Sequence, residues 1–323
     1  MTSTITDRIV ACLRGVAVGD ALGKQTETLS REGVRHWYPD DGVRGFEGPP
    51  GTVIPRYIGN SKREWRIGET TDDTERTIAV ARAILKHQAV DHTAIGRELL
   101  ACVKCVHPGI PSLWEFHQAG DPGRVADRHD GCGAAIRVAA VGILYRSDRL
   151  SDLVASARQV SIPTHGGPLA IAAAAAVAAA VSAAIDGRPA LEILEIAEQA
   201  AALGEAQQSG TRNIADAVRA VWSDLNRSPA LSPDGLAAGH FPASPLTIVP
   251  LAIALGVVMP SADAAMLLAA NTGGDSDSVA SIAAAILGAR RPGTVNEGWY
   301  SIVEAVNGHD LDALARDLVR LRR

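Results

Sequence analysis

Two short stretches of hard oxygen donors interrupt an otherwise apolar, alanine-rich chain. One is Gly68-Glu69-Thr70-Thr71-Asp72-Asp73-Thr74-Glu75; the other is Asn271-Thr272-Gly273-Gly274-Asp275-Ser276-Asp277-Ser278. Each stands where an irregular segment enters a predicted helix. Ser, Thr or Asp at a helix start accepts orphan backbone N–H bonds and complements the dipole, worth about 1 kcal/mol. One residue per helix would suffice for capping, whereas these stretches carry the pairs Asp72–Asp73 and Asp275–Asp277. If the stretches converge, the four carboxylates carry a formal charge that two divalent cations would neutralise. Without cations the carboxylates would repel one another and take up protons. The hydroxyls of Thr71 and Ser278 can complete the shells. A site built from oxygen alone favours Mg2+, Mn2+ or Ca2+ over Zn2+. Gly273 and Gly274 allow a sharp turn and a close approach of backbone to ligand.

Helices must position these groups. Aromatic residues make up only 4% of the chain, so small side chains fill the core, and alanine favours helices over strands. Ile9, Leu13 and Val16 mark a first helix over 5–18, ending at Gly19. A second starts around Thr71 to Asp73 and runs to Lys86. Further helices are predicted at 93–106, 133–146, 150–160, 168–185, 190–204, 210–225, 245–258, 261–270, 277–288 and 310–322. Residues 31–68, rich in glycine and containing Pro39, Pro49, Pro50 and Pro55, read as a functional loop or lid. No strand alternation is sustained and no fixed repeat stands out. The expectation is an all-α fold, a single compact multi-helix domain spanning 1–323.

A net charge of −5 with no basic stripe argues against an extended nucleic-acid surface. Cys102 and Cys105 form a CxxC with no second pair at zinc spacing. They read as thiols packed on a helix face with Leu99, and nothing suggests a disulfide framework. The first ten residues lack an apolar signal core. The run Leu169 to Ile185 is uncharged but mostly alanine, which reads as a buried central helix and not a membrane span. A cytoplasmic protein is expected; the sequence carries no signal of oligomeric state.

Three blocks, in order, resemble the ADP-ribosylglycohydrolase family, which includes the dinitrogen-reductase-activating glycohydrolase and the ADP-ribosylarginine and ADP-ribosylserine hydrolases. They are Gly19-Asp20-Ala21-Leu22-Gly23 with Glu27, then Thr71-Asp72-Asp73-Thr74, then 271–278. The similarity runs from about Arg8 to about Tyr300. It implies an all-α fold with two Mg2+ or Mn2+ ions at the bottom of a cleft. The implied ligands are Thr71, Asp72, Asp73, Asp275, Asp277 and Ser278, with Asp72 and Asp277 also counted as catalytic. The implied reaction is hydrolysis of the glycosidic bond linking ADP-ribose to a modified substrate, most simply a protein side chain. Oxocarbenium-like charge develops on the sugar and a carboxylate stabilises it, while a divalent cation orients water and lowers its pKa.

By the same resemblance Glu27 is the candidate acid/base, and Asp20 braces a loop instead of doing chemistry. Gly131-Cys132-Gly133 matches a glycine-rich turn into a helix, whose backbone N–H groups would meet a diphosphate. Arg137, at the end of that block, either anchors helices through an ion pair or touches ligand. His165, in a Thr164-His165 pair, is either structural or a ligand contact, and Gly273 and Gly274 complete the substrate-binding set. Trp65 and Tyr57 offer rings for adenine stacking. Departures from the family pattern fall at Lys24-Gln25-Thr26, Cys132, Gly166-Gly167 and Ala284. None removes a metal ligand, but they leave the leaving group open among arginine, serine, a nucleic-acid base and a small molecule. Two alternatives stand beside this reading: a hydrolase of another ribosylated or phosphorylated small molecule, and a catalytically silent ADP-ribose-binding homologue.

Overall fold

A computed structural model describes residues 3–205, 213–228 and 230–323. Sixteen α-helices follow in order: α1 (Ile5–Gly23), α2 (Arg31–Trp37), α3 (Asp72–His87), α4 (His92–Leu99), α5 (Pro111–Ala119), α6 (Ala139–Leu144), α7 (Leu150–Ser161), α8 (Pro168–Ile185), α9 (Ala190–Glu205), α10 (Ile214–Arg227), α11 (Pro233–Gly239), α12 (Pro245–Val258), α13 (Ala262–Thr272), α14 (Ser276–Arg290), α15 (Glu297–Asn307) and α16 (Leu311–Val319). One isolated antiparallel bridge, Val53 to Arg66, is the only β pairing among the described residues.

Helix α8 lies at the centre, with every residue from Ala170 to Ile185 buried. It packs against α6, α7, α9, α12 and α14. Although long and apolar enough to cross a membrane, it is covered by its neighbours. The tightest pairing joins α1 to α14. A Cβ added to Gly15, Gly19 or Gly23 would stand only 2.3–2.4 Å from the carbonyl oxygens of Ala284, Ala280 and Ser276. Glycine at every fourth position of α1 therefore lets two backbones touch, and this contact sets the C-terminal end of α1 beside the N-terminal end of α14. Alanine at 284 is accommodated because its backbone, not its side chain, faces Gly15.

Several boundaries differ from those predicted. Helix α1 continues four residues past Gly19, since Gly19 and Gly23 serve packing and not termination. The expected 93–106 helix stops at Leu99, and Cys105 has a left-handed φ of 57°; the CxxC thus lies in a loop, with Cys102 buried and Cys105 half-buried. The expected 133–146 helix splits into a 3-10 turn, Cys132–Ala134, and α6. At the break the Ile136 carbonyl accepts from the Thr77 hydroxyl at 3.1 Å instead of from a helical N–H. Positions 210–212 of the expected 210–225 helix lie outside the described residues. Helices α2, α5, α11 and α15 were not anticipated; α2, α11 and α15 are short and defined by side-chain caps from Ser30, Ser232 and Asn296.

Residues 31–68 form a packed strap and not a free loop. The strap begins with α2 and holds its own small core of Ile54, Tyr57, Trp65 and Ile67. Asn271 pins it to α13, accepting from Val43 N and donating to Val43 O, each at 2.8 Å.

Candidate active site

The two acidic stretches meet. Asp72 and Asp73 open α3, Asp275 precedes α14 at its N-cap position without a side-chain capping bond, and Asp277 and Ser278 lie in its first turn. All five line one cavity of about 390 Å3 together with Glu27, Arg76, Gly131, Cys132, Gly133 and His165.

Asp20, on α1, holds α3 in place. Its fully buried carboxylate accepts from Thr71 N (2.9 and 3.0 Å), Thr74 N (3.0 Å) and the Thr74 hydroxyl (2.5 Å). It thereby takes up backbone donors that the α3 N-terminus leaves unsatisfied. Burial pushes this carboxyl up to about 6, against the pull of the Thr74 and Thr71 donors. Asp20 is the brace anticipated from the sequence.

The α14 side is held through the loop after α1. Thr28 N donates to Gly274 O (2.7 Å) and Gly274 N to Leu29 O (2.8 Å). Ser276 Oγ donates to Gly23 O at 2.9 Å and Thr26 Oγ1 to Ala270 O at 2.6 Å. These bonds bring Glu27 beside Asp277. Arg56 of the strap fixes the same loop by donating to Gln25 O (2.8 Å) and Glu27 O (2.6 Å).

Electrostatically the site is strained. Burial, and then repulsion from Asp20, Asp72 and Asp275, raises the Asp73 carboxyl well above its ordinary range. Burial and Glu27 do the same to Asp277, although Lys24 opposes them. Asp73 Oδ2 is buried with no hydrogen-bond partner among the described residues. Asp72 behaves differently: burial would raise it, but Arg76 at 2.7 Å holds it below the usual carboxylate range. No three His, Cys, Asp or Glu side chains among the described residues stand close enough to form a ready metal shell. The carboxylates ring the cavity instead of converging on one point.

Behind the wall that His165 lines, Arg137 is fully buried and donates to Val160 O and to Thr164 Oγ1, both at 2.8 Å. The same hydroxyl hydrogen-bonds His165 Nδ1 at 2.7 Å, which turns Nε2 toward Gly131 and Gly133. Burial and the nearby Arg137 keep His165 neutral. His165 is thus a neutral cavity-lining imidazole positioned by its neighbours. Arg137 is neither of the two things expected: it meets no carboxylate and does not line the cavity, acting as an anchor for the 160–164 turn.

Other expectations need correction. Gly273 and Gly274 do not line the cavity; with φ of 83° and 69° they pack on Leu29 O and Pro242 O. They shape the turn, and the space a side chain would take is filled by main chain. Thr71 is fully buried, and its hydroxyl caps α3 by accepting from Asp73 N, so it too is absent from the lining. The glycine-rich turn enters only a three-residue 3-10 helix, which provides little dipole for a diphosphate. The Trp65 ring already carries Lys24 Nζ at 4.3 Å and Arg63 Cζ at 4.1 Å, and Arg56 covers Tyr57, so neither ring is a bare platform for adenine.

The structure also adds residues. Arg76 follows Asp72 by one helical turn, a pairing legible in the sequence. Cys105 lines the cavity with Asp72, and Cys132 Sγ donates to Asp275 Oδ2 at 3.4 Å; burial first, then the carboxylates, raises both thiols. Lys24, only 4% exposed, pairs with Glu27 and stands 4.0 Å from Asp277. The crowding at Gly166-Gly167 has its reason here. A Cβ at Gly166 would strike Ala126 O at 1.8 Å and one at Gly167 would strike Asp130 Oδ1 at 2.1 Å.

Known proteins resemble this chain over most of its length. A family model described as ADP-ribosylglycohydrolase matches residues 1–323. An uncharacterized protein of Archaeoglobus fulgidus is 28% identical over 295 residues, covering 86% of each chain. The uncharacterized protein YegU of Escherichia coli is 28% identical over 337 aligned positions, covering 98% of each. A solved structure described as an ADP-ribosylglycohydrolase-related protein complex superposes with a TM-score of 0.73 at 24% identity, covering 99% of both chains, a likeness of fold.

Proposed function

The chain belongs to the ADP-ribosylglycohydrolase family, and from that premise we propose that it hydrolyses the glycosidic bond joining ADP-ribose to a modified substrate, with two Mg2+ or Mn2+ ions. The observation that carries this reading is the meeting of Asp72, Asp73, Asp275, Asp277 and Ser278 on one cavity with Glu27 at its edge.

The residues present fit hard cations. Asp73 offers a buried oxygen without a partner, and Asp73 and Asp277 are pushed up by burial and mutual repulsion that a cation would relieve. These four carboxylates and Ser278 would hold the metals, with Thr71 supporting them from behind. Lys24 and Arg76 already offset part of the negative charge, so the protein supplies some of the balance that the sequence assigned wholly to metal. When bound, the cations would orient ribose hydroxyls and make water more acidic.

The protein groups account for the rest. Carboxylates around the sugar stabilise the positive charge that develops as the bond breaks. Glu27, half-buried and held by Lys24, delivers a proton to the departing atom and then takes one from the water whose oxygen adds to the anomeric carbon. The His165 imidazole and the Gly131–Gly133 backbone line the same cavity, where Lys24 does not reach, and offer polar contacts to the ADP-ribose moiety.

The test uses a panel of ADP-ribosylated peptides and nucleotides. Turnover is expected to vanish on chelation and to return with Mg2+ or Mn2+. Asp72→Ala and Asp277→Ala are expected to lose at least a hundredfold in kcat/KM and to weaken metal binding by calorimetry, in line with about 10–100-fold effects of altering even residues behind a metal's ligands. Unchanged turnover in either variant at limiting metal would end the reading.

A further inference from the structure

Beside the acidic cavity lies a second one of about 880 Å3, and the two share Glu27, Cys105, Gly109 and Ile110. Their charges are opposite. The first is lined by Glu27 and five aspartates against the single cation Arg76. The second is lined by Lys24, Lys62 and Arg63, with Glu27 as its sole carboxylate. Glu27 is already paired with Lys24, and Arg63 pairs with Glu69 outside the lining. Lys62 makes no ion pair among the described residues. The walls between these cations are apolar: Tyr57, Trp65, Val106, Pro108 and Ile110. The volume is that of a small-molecule site.

Given a glycosidic hydrolysis in the first cavity, a reading on which this inference rests, Glu27 stands at the boundary where the bond breaks. The sugar lies on the carboxylate side, so the departing group must lie across Glu27. We propose that the second cavity receives the leaving group, and that this group is an anion, a phosphate or carboxylate on an apolar body, and not a guanidinium. A cationic group would sit against Lys24, whose ammonium is buried, whereas an anion meets Lys62 and Arg63 at the rim. The preference follows from Lys24, Lys62 and Arg63, the three cations of this lining.

The experiment pairs binding with turnover. Phenyl phosphate, as a leaving-group mimic, is titrated calorimetrically against the full chain, with benzylguanidine as the cationic counterpart. Phenyl phosphate is expected to bind and benzylguanidine to bind at least tenfold more weakly. Lys62→Glu is expected to weaken phenyl phosphate about tenfold, the size of one lost charge-assisted contact; this exposed side chain makes no bond whose loss would unfold the strap. Arg63→Gln, which removes charge without reversing it, serves as a second variant. If phenyl phosphate does not bind, or both variants bind it as the natural chain does, the inference is overturned.

Saturating ADP-ribose distinguishes the two anions that could occupy the cavity. Undiminished phenyl phosphate binding in its presence supports the leaving-group assignment; mutual exclusion would assign the cavity to the diphosphate and overturn it. In turnover, ADP-ribosyl substrates with anionic leaving groups are expected to exceed cationic ones in kcat/KM, and the reverse order overturns the inference. Absence of turnover on every substrate would refute the glycohydrolase reading, while the binding titration would still decide the charge preference.

Discussion

Replacing Asp20 tests whether the site is held by a buried brace. Asp20→Ala would strand Thr71 N and Thr74 N, both buried, without their acceptor. Each orphaned donor costs about 1–3 kcal/mol, and the Thr74 hydroxyl can turn elsewhere. Removing a buried carboxylate that repels Asp73 returns part of this, which leaves a net loss of about 3–4 kcal/mol. For a chain of 323 residues, 4 kcal/mol corresponds to a fall of about 6 °C in Tm. Asp20→Asn keeps the shape but turns one acceptor into a donor, so a loss of about 2 kcal/mol is expected. Both variants should also weaken Mg2+ or Mn2+ binding, because Asp72 and Asp73 follow directly on the braced Thr71. Urea unfolding followed by circular dichroism, with and without metal, provides the measurement. A change below about 0.5 kcal/mol in Asp20→Ala, or unaltered metal affinity in a destabilised protein, would refute the reasoning.

Two further perturbations separate packing from titration. In an ordinary helix Gly19→Ala would gain about 1 kcal/mol, but here the new methyl meets Ala280 O at 2.4 Å, and a loss of about 2–3 kcal/mol is expected from overpacking; denaturant unfolding showing stabilisation would contradict the helix contact. His309 bonds Thr70 Oγ1 at 2.9 Å, and burial and then Lys104 lower it to about 4. The unfolded chain therefore binds the extra proton between pH 6.5 and 4, so this group's contribution falls as pH drops through that window, by at most about 3 kcal/mol. The difference in Tm between the natural chain and His309→Gln should shrink on acidification, and a constant difference would remove His309 as the cause.

Much of the site's composition was readable in the sequence because its carboxylates are local. Asp72–Asp73 and Asp275–Asp277 each sit within one helical start, where hydrophilic density stands out from an alanine background and the period of the following helix is unbroken. The central helix over 168–185 and the all-α class followed from the same composition. Tertiary structure decided what local patterns do not encode. Whether a glycine approaches a ligand or another backbone depends on what lies opposite, and Gly19, Gly273 and Gly274 all face main chain. Whether Arg137 pairs with a carboxylate or with carbonyls depends on the turn at 160–164, far from it in sequence. Lys24 gains its meaning from what surrounds its buried ammonium: Glu27 is local, but Asp277 and the Trp65 ring come from separate parts of the chain.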